Sequence, residues 1–341
     1  MLLFGGRSAE HDVSCVTAAH VLAAADPDRY DVVPVGITQD GRWVRAEPAA
    51  GRLVAEGPEV QPGDVLGGGA GPTVAFPLLH GPFGEDGTAQ GLLEMAGVPY
   101  VGTGVLGSAL CMDKAMAKDV AAAHGLSQPR HLAFRDVDLD DDFDGAMART
   151  AADLGLPVFV KPANLGSSVG VTRASDPGEL AAAVKLALGF DEWVVVEEAV
   201  VGREIECGVL GYGRLRASVP GEIRPSHQFY DYDDKYAGMA AELLVPAPLP
   251  PDVADEVRRL AVAAATALRV DGMARVDFFY EENGRGLLLN EVNTIPGFTP
   301  ISMYPKLWAA TGVPYRRLID ELVDAGRARH RNRAERYGRS R

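Results

Sequence analysis

The stretch Leu287-Leu-Leu-Asn-Glu-Val-Asn-Thr-Ile-Pro-Gly-Phe-Thr-Pro300 carries an apolar run that ends in Glu291, Val292 and Asn293 before a Pro-Gly break. Residues i and i+2 of a strand point to one face, so Glu291 and Asn293 aim their oxygens at one spot. Just upstream lies a second β-rich run, "ARVDFFY" (274–280), separated from "GLLLNEVN" (286–293) by the turn signal "EENGR". A three-residue loop at Asn283–Arg285 would set Asp277 opposite Glu291 and Arg275 opposite Asn293. A two-residue Asn-Gly turn would slip the register by one and send these pairs to opposite faces. In the first register two carboxylates and an amide oxygen converge beside an arginine, a donor set that suits Mg²⁺ together with substrate phosphates. The hairpin alone is equally compatible with an exposed, salt-bridged face.

Outward from the hairpin, helix and strand signals alternate, the pattern of an α/β protein. "LLFGG" reads as a strand, "SAEHDVSCVTAAHVLAAA" as a helix with Ser8 as a plausible N-cap, "YDVVPVGIT" and "TVAFPLLHG" as strands, "TAQGLLEMAG" as a helix closed by Gly97, and "VPYVGTG" as a short strand. Residues 38–72, rich in Gly, Pro and Ala, read as an irregular insertion. A first α/β domain therefore spans 1–102. An Ala-rich helix at about 108–125 carries Lys114, and a central unit runs to 197 through "PVFVKPA", "VGVTRA", "DPGELAAAVKLAL" and "EWVVVEEAV". A third unit, 198–325, holds "REIECGVLGYG", a polar stretch, a helix at 252–268 and the hairpin.

Four other segments could carry chemistry. In "VFVKPANLGSSVGVT" (158–172) a strand presents Lys161 ahead of a small-residue loop whose N–H groups and hydroxyls, Ser167 and Ser168, can cradle phosphate. It is not a P-loop, because the lysine precedes the loop. "VVVEEAVVGREIE" (194–206) leaves a strand at Glu197 and Glu198, where free backbone groups suit a base edge and an acid suits a ribose; a solvated strand end reads the same way. "LLHGPFGEDGTAQG" (78–91) places Glu85 and Asp86 between a strand and a helix, where ligands of α/β sheets sit. Glu10 occupies the equivalent place after the first strand and could meet a substrate ammonium or complement the helix dipole. By contrast "VGTGVLG" (101–107) matches G-x-G-x-x-G but lacks the acidic strand end about 20 residues on. Its glycines are better read as a tight turn.

Bulk properties exclude other classes. The chain is 47% hydrophobic and 23% charged, ordinary for a globular protein, and no stretch has the length of a membrane span. The N-terminus lacks a basic segment followed by a long apolar run, and Cys15, Cys111 and Cys207 are isolated, so a cytoplasmic location is expected. A net charge of −14 argues against nucleic acid as a partner. The tail 326–341 has seven Arg and one Glu, which leaves about −20 for the rest, and reads as a disordered, solvated segment.

Taken in order, "LFGGRSAEHDVS", "LHGPFGEDGTAQGLLE", "MDKAMAK", "VKPANLGSSVGV", "FYDYDDKY", "RVDFF" and "NEVNTIPGFTP" strongly resemble the D-alanine–D-alanine ligases of the ATP-grasp superfamily, from residue 1 to about 325. The resemblance implies an N-terminal Rossmann-like α/β domain and a two-domain ATP-grasp unit with ATP between its halves. It implies ATP-driven joining of two D-alanines for peptidoglycan, with two Mg²⁺ or Mn²⁺ ions, in a homodimer. Lys114, Lys161 and Ser168 would hold phosphates, with Lys235 reaching the γ-phosphate from a mobile loop at 225–239. Glu197, Glu198 and Val200 would face adenine, Glu204 the ribose, and Asn290 would also line the nucleotide site. Asp277, Glu291 and Asn293 would ligate metal, and Glu10, linked to Ser167 and Tyr236, the first ammonium. Arg275 and the Gly297 N–H would face the oxyanion, and Ser302 the second carboxylate. Members usually carry a few more residues on the first strand, so either a start placed late or a shortened first strand is expected here. A D-alanine–D-lactate or D-serine ligase is the alternative within the family, and "FYDYDDKY" with Tyr236 favours D-alanine. A silent nucleotide-binding protein would be expected to lose Arg275 or a metal ligand, and all are present.

Overall fold

The computed structural model describes residues 1–48, 51–67, 73–166, 168–224 and 242–338. The first sheet grows around β1 (Leu2–Gly5), whose four residues are all buried. Such a continuous apolar run belongs at the centre of a parallel sheet. It is followed by α1 (His11–Ala24), β2 (Pro34–Ile37), β3 (Trp43–Arg45), α2 (Pro62–Leu66), β4 (Phe76–Pro77) and α3 (Thr88–Met95). The order is β3-β2-β1-β4, with β1 parallel to β2 and β4 and β3 antiparallel to β2. Residues 38–72, expected to be irregular, thus contribute a strand and a short helix among their described residues. "VPYVGTG" is reduced to one bridge, Ala75 to Tyr100, because the chain turns away at Gly102 (φ +95°). Glu10, not Ser8, occupies the α1 N-cap position. Ser8 instead donates to the His80 carbonyl at 2.7 Å and so ties the two ligand-facing loops together.

The expected single helix at 108–125 is two helices, α4 (Val105–Met112) and α5 (Lys114–Ala123). Asp113 breaks them: its extended backbone cannot continue α4, and its side chain accepts from the Met116 N–H at 3.0 Å to cap α5. Both helices pack into a core formed with Ile205, Cys207 and Val209 and with the hairpin residues Val276, Phe278 and Leu289, where Ala121 and Leu126 are buried. A four-stranded antiparallel sheet then forms from β5 (His131–Arg135), β6 (Val158–Pro162), β7 (Thr172–Ala174) and β8 (Trp193–Glu198), in the order β5-β8-β6-β7. Its helices are the short α6 (Asp136–Leu139), α7 (Phe143–Leu154) and α8 (Pro177–Leu188). Val158, Val160, Val194 and Val196 meet Leu180 and Val184 of α8 in its core.

The third sheet is five antiparallel strands in the order β11-β10-β9-β12-β13. They are β9 (Arg203–Gly211), β10 (Arg216–Arg224), β11 (Glu242–Leu244), β12 (Gly272–Glu281) and β13 (Gly286–Asn293). Between β11 and β12 runs α9 (Pro251–Ala267), which buries Val257, Ala261 and Ala264 against the sheet. After the hairpin come α10 (Met303–Ala310) and α11 (Tyr315–Gly338). The tail expected to be disordered from 326 is therefore helical to Gly338. Arg329, on that segment, is only 3% exposed.

At the metal-facing end the hairpin register is the one anticipated: Asp277 pairs Glu291 and Arg275 pairs Asn293. The cause differs. Near the turn Glu281 pairs Gly286 and Phe278 pairs Leu289, so the connection is not a three-residue loop. One extra residue, Asn290, is accommodated between Leu289 and Glu291 as a β-bulge. The bulge shifts the register by one and brings the acids onto a common row.

Candidate active site

That row crosses three strands. Asp277 on β12 faces Glu291 on β13 and Glu206 on β9. Three carboxylates side by side would repel one another, and Arg275 offsets them. Its guanidinium donates through Nε and Nη2 to Asp277 at 2.8 and 2.7 Å and lies 3.1 Å from Glu206. Burial opposes the guanidinium charge, but Asp277 and Glu206 outweigh it and hold Arg275 protonated. Asn293 turns its Nδ2 towards Asp277 and Glu291, at 3.1 and 3.3 Å. A donor between two acids is what the bare cluster favours. A half-turn of the amide would offer its oxygen to a cation instead. Among the described residues no three His, Cys, Asp or Glu side chains converge as a metal site; the oxygens this row could offer a cation are the carboxylates of Asp277 and Glu291 and the amide of Asn293. That set, with phosphate oxygens added, fits Mg²⁺ or Mn²⁺. The Oδ1 of Asn290, on the bulge, is buried with no hydrogen-bond partner among the described residues, an acceptor left for a ligand or its water.

At the Glu291 end of the row, Lys114, Lys118 and Lys161 line a narrow cavity with Glu197, Asn290 and Glu291. Lys114 opens α5; its N–H donates to the Ala163 carbonyl at 3.0 Å and its ammonium to that of Leu165. The helix start is thereby fastened to the loop after β6. Lys161 and Lys118 grip the two oxygens of Glu197 at 3.0 and 3.3 Å. Burial pushes the Glu197 carboxyl up, yet the two ammonium groups prevail and hold it at about 2. Glu197, expected at adenine, is thus committed to lysines in this state. Lys118 and Glu206 were not anticipated as members of the site. Lys118 lies one helical turn from Lys114, on the same face, and Glu206 two residues from Glu204 on one strand; these spacings were the available signals.

The remaining candidates fall in three places. Glu198 turns from the cavity and pairs with Arg130, at 2.8 Å, and Arg285. Glu204 shares a face of β9 with Glu206, and Val200 is half-buried just beyond β8. At the N-terminal edge the Glu10 carboxylate lies against two glycines. A Cβ on Gly81 would stand 2.9 Å from its Oε2 and one on Gly166 3.3 Å, so Glu10 joins the first domain to the serine-glycine loop. Beside it the buried His80 Nδ1 meets Glu85 at 3.3 Å. Ser168 adopts a left-handed φ of +59° in that loop. Beyond β13, Ser302 pairs with the Thr299 hydroxyl at 2.8 Å, and a Cβ on Gly297 would come within 3.1 Å of the Ser302 Oγ. A bare backbone is therefore what fits there. Ser167, Lys235, Tyr236 and the loop 225–239 lie outside the described residues.

Two antiparallel sheets that close lysines on one side against acids on the other, behind a parallel-sheet domain, define an ATP-grasp enzyme. The family model described as D-ala D-ala ligase N-terminus matches residues 1–103, and that described as D-ala D-ala ligase C-terminus matches 120–324. A D-alanine–D-alanine ligase of Mycolicibacterium smegmatis is 48% identical over 96% of this chain and 95% of its own. One from Geobacillus kaustophilus is 44% identical over 97% and 95%. Among solved structures, a D-Ala:D-Ser ligase from Enterococcus faecalis superposes with a TM-score of 0.80 at 33% identity, covering 95% of this chain and 98% of that one. The D-alanine-D-alanine ligase from Coxiella burnetii gives 0.80 at 32%, covering 98% and 96%. The chain belongs to the D-alanine–D-alanine ligase family.

Proposed function

We propose that the chain phosphorylates the carboxylate of one D-alanine with ATP and joins the resulting acyl phosphate to the amine of a second. The observation that carries this reading is that three lysines share one cavity with Glu291, the member of the acid row that pairs with Asp277 across the hairpin. Lys114 and Lys161 would meet the phosphates, so Lys161 would leave Glu197 when nucleotide enters. Lys118 would then keep Glu197 ionised beside the adenine. Ser168, with Ser167 and Lys235, would complete the phosphate cradle in this reading; Val200, Glu204, Asn290 and the backbone at Glu198 would border the nucleotide. Divalent ions at Asp277, Glu291 and Asn293 would offset charge on the transferring phosphoryl group.

Glu10 would hold the first ammonium, with Ser167 and Tyr236 linked to it. The attacking amine adds to the acyl carbon and expels phosphate. Arg275 and the Gly297 N–H would stabilise the oxyanion so formed, and Ser302 would orient the second carboxylate. Division of the chain at 102, 197 and 325 suits these roles, with ATP between the last two units. Among the described residues no helix is long and apolar enough to cross a membrane. A homodimeric enzyme supplying cytoplasmic peptidoglycan synthesis is the setting we propose.

The second substrate is tested by phosphate release across D-alanine, D-serine and D-lactate, each added beside D-alanine. D-Alanine is expected to turn over fastest near neutral pH. Faster release with D-serine would favour the specificity named for the Enterococcus faecalis structure. Faster release with D-lactate would overturn dipeptide formation, and no release with any would overturn the enzyme reading.

A further inference from the structure

The D-ala D-ala ligase C-terminus match ends at residue 324, but α11 runs on to Gly338 and binds the point where the first domain joins the rest. Gly326 sits on the Tyr100 backbone so closely that a Cβ would stand 2.4 Å from its carbonyl. One turn later Arg329 is buried, its guanidinium carbon 4.0 Å from the Tyr100 ring centroid. It donates to the Tyr100 carbonyl at 3.0 Å and to the Gly102 carbonyl. Arg333 then pairs with Glu94, which also accepts from the Tyr100 hydroxyl at 2.7 Å. On the far side the crossing touches β12: Thr103 donates to the Asp271 carbonyl at 2.9 Å, and Gly272 has room for no side chain against Gly102.

Elsewhere α11 meets the first domain through Leu318, Ile319 and Leu322 in an apolar core shared with Leu2, Phe4 and Val21, through the Tyr30 hydroxyl donating to Asp320 at 2.6 Å, and through the more exposed pairs of Arg29 with Asp320 and Asp324 and of Arg316 with Asp26. Exposed pairs of this kind hold weakly. A buried guanidinium that satisfies two backbone carbonyls and stacks on a ring holds firmly, because leaving it or its acceptors unpaired in the interior is costly. Besides the shared apolar core and the contact of Glu10 with Gly166, the first domain and the Glu10 it carries are held to the rest by the crossing at 100–104. The acid row lies on the other side of it.

We propose that Arg329 is a positioning residue for the amino-acid site: it locks the Tyr100–Gly104 crossing and so fixes Glu10 relative to Arg275, Asp277 and Glu291. This rests on the reading of Glu10 as the holder of the first ammonium. Loosening the crossing leaves the nucleotide side intact, since that side is built wholly from residues beyond it.

The test compares wild type, Arg329→Met, Arg329→Lys and the milder Arg333→Gln. Arg329→Met is expected to raise KM for the first D-alanine about tenfold with KM for ATP within about twofold, Arg329→Lys to fall between, and Arg333→Gln to shift the same way by less. An unchanged KM for D-alanine, or equal shifts in both constants, would overturn the proposal. Should Arg329→Met not fold, Arg333→Gln is judged by the same split. If wild type releases no phosphate with D-alanine, the functional reading fails on its own. The lock is then judged by hydrogen exchange at Val101–Gly104, where faster exchange in the variants supports it and unchanged exchange overturns it.

Discussion

Asp277→Asn is expected to lower D-alanine-dependent phosphate release by about 10³-fold or more, a loss of about 4 kcal/mol of transition-state stabilisation, while the fold persists. Asp277 sits at the centre of the acid row and receives Arg275 through both oxygens and Asn293 through one. The amide keeps the shape and one acceptor but removes a charge that a divalent cation requires. Structural damage is limited because Arg275 retains Glu206 at 3.1 Å, so the guanidinium is not left alone in the interior. The measurement pairs steady-state phosphate release with thermal unfolding. Full activity in the variant would remove Asp277 from the metal site. A collapse of the folded state would mark it as part of the scaffold instead.

Lys118→Met carries the largest expected effect on stability, a loss of about 3 kcal/mol or more at neutral pH. Lys118 and Glu197 are both almost fully buried, and the variant leaves the carboxylate with Lys161 alone. The pH dependence has a definite sign. In the folded protein burial raises the Glu197 carboxyl, but Lys118 and Lys161 overcome this and bring it from 4.5 to about 2. A carboxyl depressed on folding contributes stability above its unfolded value, and that contribution is lost as pH falls from about 4.5 to about 2. The gap between wild type and Lys118→Met should therefore be widest near neutral pH and narrow in that acid window. Urea midpoints at pH 7 and pH 3 read this out. Equal midpoints at pH 7, or a gap unchanged between the two, would contradict the buried triad.

That Asp277, Glu291 and Asn293 share one row was legible because strand alternation fixes which side chains share a face. The reason given for their register was wrong in detail. An apolar run does not announce where a bulge will form, and Asn290 supplied the odd residue that the loop did not. Lys118 shares a helix face with Lys114, but its partner Glu197 lies on β8, and only the packed sheet brings them together. The two-helix break at Asp113 follows from a cap that also reads as an ordinary polar residue within a helix. The helical tail was hidden for a different reason. Seven arginines over 326–341 read as a solvated segment, because the carbonyls of Tyr100 and Gly102 that need a buried donor are far away in the chain.

The transfer of oxygen from substrate to phosphate tests the central claim most directly. D-Alanine labelled with ¹⁸O in both carboxylate oxygens is turned over with ATP and Mg²⁺, and the phosphate and dipeptide are weighed by mass spectrometry. If the carboxylate attacks the γ-phosphate and the second amine then expels phosphate, each phosphate carries one ¹⁸O and the new amide carbonyl keeps the other. Phosphate free of label, formed alongside the dipeptide, would contradict the acyl-phosphate route and with it the roles given to the lysines and the acid row.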